Sequence, residues 1–446
     1  MKVSRPGAPA RTKSHRPTAR SVAIDVVRRV TDEGAYSNLA LSRTLSRAGL
    51  DERDAAFATE LAYGTLRRRV PIDRALAPLL DRPLDTAPKP ARAALRVGAY
   101  QLRYTRVPPH AAVSETVALA DPRHRGFVNA VLRRLANAQP DPPSGSNDES
   151  VALRTGLAEW AVRELRRVVG DDEVEDAAAS LARPAGVTIR TNTCTTTVER
   201  LERALADAGV RAVRGAVHPD SLIVEHGAPS RLPGFDEGRF AVQDQASSFV
   251  VAALDPQPGD RVLDVCAAPG GKATHAACLA GPDGLVVAAD VSRTRLGLVR
   301  ANAERLGIRT LALAQDGRRP AIRAGFDRVL VDAPCSGIGS ARRRPELLWR
   351  ARKDELSGLA RLQVGIATAA AGLLRPGGRL VYSVCTFPRA ETDAACDAIL
   401  RRAPGLEPVE IAGPNGPAER VRLWPHRHGC DAMFVACFRR RTTPAD

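Results

Sequence analysis

Hydrophobic positions in the first third of the chain repeat with the spacing expected of helices. One apolar stripe is formed by Val22, Val26, Val27 and Val30. The later segment ARAALRVGAYQLRY continues the same pattern. We therefore predict that residues 21–138 form an all-helical domain. Taken alone, such stripes indicate a helical bundle, which could equally be a scaffold or a dimerisation module.

The pattern changes after residue 138. The segment 139–150 (QPDPPSGSNDES) is rich in Pro, Ser and Asp and predicts a linker. Residues 151–240 combine helical patterns with short apolar strands, which predicts a small α/β subdomain. From 241 to 440, strands alternate regularly with helix-forming segments; these strands are RVLDVCA, LVVAAD, LALAQD, DRVLVDA and GRLVYSVC. Val- and Leu-rich strands that alternate with helices indicate an α/β fold with a doubly wound, mainly parallel sheet.

Polar and reactive side chains fall at the carboxyl ends of these predicted strands. They are Asp264, Cys266, Asp290, Asp316, Asp332, Cys335 and Cys385. In an open parallel sheet the strands' carboxyl ends meet at one edge, and ligands bind beyond that edge. One such side chain could be there by chance, but this many predict a functional site.

Composition and charge narrow the class of partner. The chain has 446 residues and a net charge of +16, and nearly all of its basic residues are arginine. This balance favours a polyanionic partner such as nucleic acid, because guanidinium groups bind phosphate bidentately. The alternative explanation for the many arginines is a compositional bias that places them on solvent-exposed helix faces without a partner. Residues 1–20 carry basic residues and no acid, which predicts a flexible basic tail that contacts RNA or only aids solubility.

The location of the protein is also predicted. No secretory signal and no apolar run long enough for a membrane span is recognisable, so we expect a cytoplasmic protein that does not bind a membrane.

The eight cysteines form no CxxC pair and no short-spaced framework, which predicts that all are reduced thiols. The segment HRHGC contains possible metal ligands, but no second cluster lies near it in the sequence, so we expect no metal.

The glycine-rich turn in RVLDVCAAPGGKATH follows the first strand of the large sheet. It fits neither a P-loop, which requires GxxxxGK followed by Ser or Thr, nor the dinucleotide motif GxGxxG. Asp290 ends the next strand, where an acid can accept hydrogen bonds from a ribose diol. Asp316 ends the strand after that and could accept a hydrogen bond from an adenine amine. An adenosine ligand without phosphate at the turn indicates S-adenosylmethionine.

Two cysteines at strand ends suggest covalent chemistry. Cys335 follows a strand and a proline in VDAPCSGIG, and Cys385 ends the strand in GGRLVYSVCTF. Carbon C5 of a pyrimidine becomes nucleophilic when a thiolate adds to C6, and Asp332 is positioned to stabilise such an adduct near N3. The target base must be unstacked to reach the site. The alternative is that both cysteines are small buried hydrophobic residues.

Several motifs together resemble those of the RNA cytosine-C5 methyltransferases, the NOL1/NOP2/Sun group. They are GRFAVQDQASS, CAAPGGK, DAPCSGIG with RRRPELLW, YSVCTFP and GCDAMFVACF, and the match covers about residues 187–440. The resemblance implies a Rossmann-like class I S-adenosylmethionine-dependent methyltransferase domain with a seven-stranded sheet, preceded by a small α/β subdomain of the N1 type. The sequence departs from the family pattern at Thr386, where Ser is common, and at PRAETD, which replaces Pro-Glu-Glu-Asn.

The same resemblance implies roles for individual residues. Cys385 corresponds to the nucleophile and Cys335 to the cysteine that assists product release. The implied cofactor contacts are Cys266, Ala267, Ala268, Pro269, Gly270, Gly271, Lys272, Asp290, Asp316 and Asp332, with Arg295 as a further candidate. The arginines after the Cys335 turn, among them Arg342 and Arg343, are candidates for phosphate contacts.

The helical domain resembles the RNA-binding domain of the antitermination factor NusB, in segments such as SVAIDVVRRV and FATELAYGTLRRR. A NusB-like domain joined to this catalytic half resembles bacterial methyltransferases of 16S (small-subunit) rRNA. The resemblance implies 16S rRNA as the substrate, with tRNA as an alternative. A second alternative is a non-catalytic RNA-binding assembly factor, although both cysteines are present. We expect a monomer.

Overall fold

The computed structural model describes residues 17–138, 143–225 and 227–442. The chain divides into two compact units, Met1–Pro142 and Pro143–Asp446, and each is described by itself. Most of the predicted basic tail lies outside the described residues, but its last two residues are helical because the first helix begins at Ala19. The predicted linker 139–150 is also shorter than expected, since a helix begins at Asp148.

The first unit is helical in its described part, as the sequence pattern predicts. Its helices are α1 (Ala19–Asp32), α2 (Ser37–Ala48), α3 (Glu52–Arg67), α4 (Arg69–Leu76), α5 (Lys89–Tyr104), α6 (Pro109–Leu119) and α7 (Arg125–Asn137). The predicted valine stripe of α1 is buried, with side chains at most 3% exposed. Helix α1 starts with a capping box in which Thr18 and Ser21 satisfy each other's backbone N–H groups.

The second unit begins with α8 (Asp148–Thr155), α9 (Glu159–Val169) and α10 (Val174–Leu181). These three helices do not form a core with the small sheet that follows them. They pack instead on residues of the catalytic half, including Leu348, Phe387 and Trp424. The predicted subdomain 151–240 therefore contributes its helices and its strands to different hydrophobic cores.

A small antiparallel sheet follows these helices. Its strands are β1 (Val187–Thr191), β2 (Ala212–Arg214), β3 (Ser221–Val224) and β4 (Phe240–Val242), in the order β2-β3-β1-β4. Helix α11 (Val198–Asp207) packs on this sheet through Leu201 and Leu205, which are fully buried together with Ile189 and Phe240. The two predicted strands GVTIRTN and DSLIVEHG correspond to β1 and β3.

The large sheet contains the five predicted strands β5 (Arg261–Asp264), β6 (Leu285–Asp290), β7 (Leu311–Ala314), β8 (Phe326–Asp332) and β9 (Leu374–Val384). These five are mutually parallel. Three more strands, β10 (Leu406–Pro408), β13 (Arg420–Leu423) and β14 (Met433–Arg440), join antiparallel, while β11 (Ile411–Gly413) and β12 (Gly416–Ala418) form a separate hairpin. The order is β10-β14-β9-β8-β5-β6-β7, with β13 paired to β14 as an eighth strand beyond the expected seven.

Helices cover both faces of the large sheet. They are α12 (Gln245–Leu254), α13 (Gly271–Ala280), α14 (Arg293–Arg305), α16 (Leu356–Ala371) and α17 (Asp393–Arg402). Two short helices, α15 (Leu347–Arg350) and α18 (Pro425–His428), lie on the side of α8–α10 instead. Val329 and Val331 of β8 belong to the core shared with α16, and Leu330 belongs to the core shared with α12 and α13. Burial on both faces explains why these strands are almost continuously apolar.

One expectation about the cysteines is wrong. Cys194, in the loop after β1, and Cys278, in α13, form a disulfide whose Cα atoms are 5.8 Å apart. The six other cysteines are free. The two partners are separated by 84 residues, so no local spacing pattern in the sequence could reveal the pair. Within the described ranges, no helix has the length and apolar character needed to cross a bilayer.

The loop before β4 approaches the end of α14 closely. A side chain at Gly238 would place its Cβ 2.1 Å from the backbone oxygen of Arg305, and Gly238 has φ of +67°. Gly307 has nearly the same backbone angle, φ of +66°, but open space around it. The buried Asn192 amide bridges the same contact by donating to the carbonyl oxygens of Gly238 and Leu306.

We expect Gly238→Ala to destabilise the second unit by about 3 kcal/mol or more, because left-handed strain and a clash with backbone add together. Gly307→Ala should cost only the strain, about 1 kcal/mol. All three tryptophans lie in this unit, so urea unfolding followed by tryptophan fluorescence measures it selectively. Equal effects of the two substitutions would contradict the close contact.

Candidate active site

The glycine-rich turn after β5 is held in place by the end of β6. Asp290 accepts hydrogen bonds from the backbone N–H of Ala268 at 3.2 Å and of Ser292 at 2.9 Å. Arg295 donates to the carbonyl oxygen of Ala268 at 2.6 Å. The peptide bond before Pro269 is cis. These contacts give Asp290 and Arg295 a structural function in shaping the turn, in addition to any contact with a ligand.

A cleft of about 250 Å³ opens beyond the carboxyl ends of β5 and β8. Most of the predicted cofactor contacts line it, and they are joined by residues from β4 and α12. The lining residues are Val242, Gln243, Asp244, Ser247, Asp264, Cys266, Ala267, Ala268, Pro269, Gly271, Lys272, Asp332, Arg343 and Asp431. The structure thus brings the predicted turn and the predicted catalytic acid Asp332 to one site.

Four predicted cofactor contacts do not line this cleft; they are Gly270, Asp290, Asp316 and Arg295, whose contact with the turn is described above. Gly270 packs against Val299 of α14, where an added Cβ would lie 3.0 Å from a backbone carbon. The Asp316 carboxylate accepts two hydrogen bonds from the Arg318 side chain, which lowers its pKa to about 2. Asp290 is 3% exposed and directed at the turn. Adenosine contacts of Asp290 and Asp316 therefore stay predictions.

Asp264 is a member of the site that the sequence placed at a strand end without giving it a role. Its side chain is 1% exposed; Oδ1 accepts from the N–H of Cys266, and Oδ2 has no hydrogen-bond partner among the described residues. Burial, together with the negative charge of Asp332, raises its pKa to about 7. An orphaned buried carboxylate facing a cleft fits a cationic ligand such as S-adenosylmethionine.

Lys272 connects the glycine-rich turn after β5 to Asp332. Its ammonium group donates to Asp332 Oδ2 at 2.7 Å, while the hydroxyl of Ser383 donates to Asp332 Oδ1 at 2.8 Å. Burial opposes the charge of Lys272, but the attraction of Asp332 outweighs it and the pKa of Lys272 is raised. Sequence reasoning assigned Lys272 only to the cofactor. The structure also pairs it with Asp332, which the sequence predicts to be the catalytic acid.

The two strand-end cysteines lie side by side, with their Sγ atoms 3.5 Å apart and both partly exposed. The pKa of Cys385 is lowered, chiefly by a hydrogen bond from Cys335 and also by the charge of Lys272. The pKa of Cys335 is raised, because it donates that hydrogen bond and is desolvated. The pair therefore favours a Cys385 thiolate next to a Cys335 thiol, and only the thiolate is a strong nucleophile.

The arginines that follow the Cys335 turn are engaged within the protein. Arg343 donates to the carboxylates of Asp244 at 2.6 Å and Asp431 at 3.1 Å, at the wall of the cleft. Arg342 donates to the carbonyl oxygens of Gly429 and Cys430. These contacts show that both side chains hold the segment before β14 in place, and their contact with phosphate stays a prediction.

Possible metal ligands converge at one place in the described part of the chain, away from the cleft. Ligand atoms of His218, Asp220 and His275 lie within 4.8 Å of one another. Burial lowers the pKa of both imidazoles, and the Arg190 guanidinium lowers each further. The same positive charge opposes a divalent cation, so we assign no metal there. In HRHGC, His426 contacts Glu173 instead of a shared centre.

We expect affinity for S-adenosylmethionine to rise several-fold between about pH 6 and pH 8 as Asp264 loses its proton, because the carboxylate attracts the cationic cofactor and the neutral acid does not. Isothermal titration calorimetry at several pH values measures this slope. Asp264→Asn should flatten it, and the exposed control Asp283→Asn should preserve it. An unchanged slope in Asp264→Asn would contradict the assignment.

Three sequence-family models match successive parts of the chain. The sequence model described as 16S rRNA methyltransferase RsmB/F matches residues 251–439. The NusB family matches residues 17–137, and the RsmF/B-like ferredoxin-like domain matches residues 157–231. The crystal structure of PH0851 has a TM-score of 0.83 at 27% identity, with 94% of this chain and 98% of that chain covered.

Similar curated proteins match over nearly the whole chain. Rv1407 of Mycobacterium tuberculosis, a putative methyltransferase, is 39% identical over 95% of this chain and 97% of its own length. The probable ribosomal RNA small subunit methyltransferase B of Bacillus subtilis is 32% identical over 95% and 99%. The ribosomal RNA small subunit methyltransferase B of Escherichia coli is 34% identical over 90% and 94%. The predicted fold class and the predicted cofactor, S-adenosylmethionine, are confirmed. The chain therefore belongs to the RsmB/F family of S-adenosylmethionine-dependent RNA methyltransferases.

Proposed function

We propose that this enzyme methylates C5 of a cytosine in 16S rRNA through a covalent bond between Cys385 and C6 of the base. The observation that carries the proposal is the pair of thiols 3.5 Å apart. Neither thiol lines the cofactor cleft, but Cys385 interacts electrostatically with Lys272 and Asp332, which do. Methyl transfer to a nitrogen needs no covalent help, because nitrogen has a lone pair. Activation of an unreactive ring carbon requires a nucleophile that adds to the neighbouring carbon, and a thiolate is suited to this. The second thiol is placed to assist its departure.

Each step of the proposed reaction is assigned to a residue in or next to the cleft. Bound S-adenosylmethionine supplies the methyl group. The Cys385 thiolate, stabilised by Lys272, adds to C6 and raises the electron density at C5. We assign to Asp332, which Lys272 and Ser383 hold in place, the stabilisation of the adduct near N3 of the ring. After the C5 proton has left to a base, the bond between Cys385 and C6 breaks and the Cys335 S–H donates to the departing thiolate.

The net charge of the chain and the names of similar proteins support the proposed class of substrate. The net charge of +16 favours binding to a polyanion, and its salt-dependent attraction to RNA does not depend on sequence. The NusB match covers the helical unit, and relatives matched over nearly their full length are named as small-subunit rRNA methyltransferases. We therefore propose 16S rRNA in preference to tRNA.

Cys385→Ala is expected to abolish formation of 5-methylcytosine while S-adenosylmethionine still binds, because the nucleophile is lost and the cofactor turn is intact. The assay uses rRNA and tRNA from a strain that lacks the enzyme, with bisulfite sequencing to locate the product. Cys396→Ala, a buried thiol outside the cleft, is the control. Methylation by Cys385→Ala would assign the nucleophile elsewhere, and a product found only in tRNA would overturn the substrate.

Cys335→Ala is expected to accumulate a denaturation-resistant adduct between protein and RNA, because the departing Cys385 thiolate loses its hydrogen-bond donor. Denaturing electrophoresis with labelled RNA and cofactor measures the fraction trapped. The double substitution Cys335→Ala with Cys385→Ala should form no adduct. Rapid turnover by Cys335→Ala without trapped product would remove the release role from Cys335.

A further inference from the structure

A buried carboxylate lies behind the two cysteines. Glu391, in the PRAETD segment that departs from the family pattern, has a side chain 0% exposed. A buried acid without a cation close by is costly unless hydrogen-bond donors surround it. Its side-chain partners among the described residues are all such donors. Burial is the largest influence and raises the pKa of Glu391, although the hydrogen bonds from Ser336, Gln363 and Thr386 oppose the rise.

The donors come from both cysteine-bearing segments and from a helix. Glu391 Oε1 accepts from the backbone N–H of Ser336 at 2.9 Å and from Nε2 of Gln363 at 2.9 Å. Glu391 Oε2 accepts from the Ser336 hydroxyl at 2.6 Å. The Ser336 hydroxyl also lies 2.6 Å from the Thr386 hydroxyl. Ser336 follows Cys335 directly and Thr386 follows Cys385 directly, so one carboxylate ties together the residues adjacent to both thiols.

This connection adds to the backbone bonds between the two segments. The β8–β9 ladder ends at the pair Asp332 and Ser383, and two further backbone bonds follow, from the Ala333 N–H to the Ser383 carbonyl oxygen at 2.9 Å and from the Gly339 N–H to the Cys385 carbonyl oxygen at 3.0 Å. Beyond this point the segments that carry the cysteines are loops. Glu391 is itself held, because the Tyr382 hydroxyl donates to its carbonyl oxygen at 2.7 Å and to Gln363 at 3.1 Å.

We propose that Glu391 is a positioning residue that sets the separation of the Cys335 and Cys385 sulfur atoms, acting through Ser336 and Thr386. This proposal rests on the proposed function and deepens it, because the hydrogen bond between the thiols controls both attack and release. The Glu391 carboxylate accepts from two N–H donors at one oxygen and from the Ser336 hydroxyl at the other. An amide presents an N–H₂ group that either meets the N–H donors or makes the Ser336 hydroxyl an acceptor, which reverses the hydrogen bond between Ser336 and Thr386.

The proposal also explains why a threonine can stand at position 386, where the family pattern commonly has Ser. The hydroxyl group is what contacts Ser336, and both Ser and Thr possess it. Thr386→Ser should therefore behave like the unmodified enzyme, whereas Thr386→Val keeps the shape and loses the hydroxyl. Thr392→Val is a matched control, since Thr392 is a buried threonine of the same loop whose hydroxyl donates to Pro388 and contacts neither cysteine segment.

The separation of the sulfur atoms can be measured without RNA or cofactor. Dibromobimane bridges two neighbouring thiols: two carbon–sulfur bonds form, two carbon–bromine bonds break, and two protons leave with the bromides. Its fluorescence develops only after both bromines are replaced, and peptide mass spectrometry identifies the bridged pair. We expect Glu391→Gln and Thr386→Val to slow bridging of Cys335 to Cys385 about tenfold. Thr386→Ser and Thr392→Val should bridge at the unmodified rate.

The kinetic test uses the same variants with rRNA. Glu391→Gln should lower kcat about tenfold or more with little change in KM for RNA or in the dissociation constant for S-adenosylmethionine. It should also trap part of the covalent adduct, because a displaced Cys335 assists release less well. A purely structural defect would instead lower the stability and the cofactor affinity together.

The outcomes separate the two proposals. Bridging of Glu391→Gln at the unmodified rate, or equal slowing by Thr392→Val, overturns the positioning role. If Glu391→Gln does not fold, Thr386→Val decides in the same way. If bridging depends on Glu391 but the unmodified enzyme makes no 5-methylcytosine, the positioning role stands and the proposed function fails.

Discussion

The parallel pairing of β8 with β9 at the centre of the sheet is the constraint on which the site depends. Its register places Asp332 opposite Ser383, so the two loops that follow begin side by side and bring Cys335 to Cys385. Both faces of this pair are buried, with Val329 and Val331 on one and Leu330 on the other. A register slip would move apolar side chains out of both cores, and hydrophobic packing thereby fixes the position of the reactive groups.

Local electrostatics then favour different protonation states for the thiols of Cys335 and Cys385. A hydrogen bond from Cys335 lowers the pKa of Cys385, and the charge of Lys272, which is bonded to Asp332, lowers it as well. Charges interact more strongly here than at the surface, because the groups are largely removed from water. The acids that remain, Asp264 above all, make the cleft favourable for a cationic cofactor. The arrangement combines a site for a positive methyl donor with a stabilised thiolate beside it.

Several residues assigned to the cofactor from the family pattern also hold the protein together. Arg295 and Asp290 shape the glycine turn, and Asp316 pairs with Arg318. The departures from that pattern are likewise structural, since Thr386 and Glu391 connect the two cysteine loops. A motif match identifies positions, whereas the contacts made at each position decide whether a side chain binds the ligand, orients another residue or does both.

The sequence alone determined the helical first domain, the five parallel strands, the acids and thiols at the strand ends and the family resemblance. These features are local: periodicity records which face of an element is buried, and motifs record side chains a few residues apart. Tertiary structure decided the pairing of Lys272 with Asp332, the disulfide between Cys194 and Cys278, the eighth strand and the packing of α8–α10 on the catalytic half. It also decided the state of each thiol and the role of Glu391, which lies 55 residues from the serine it binds. Contacts between loops far apart in the chain leave no periodic pattern, because they depend on how the packed strands are aligned.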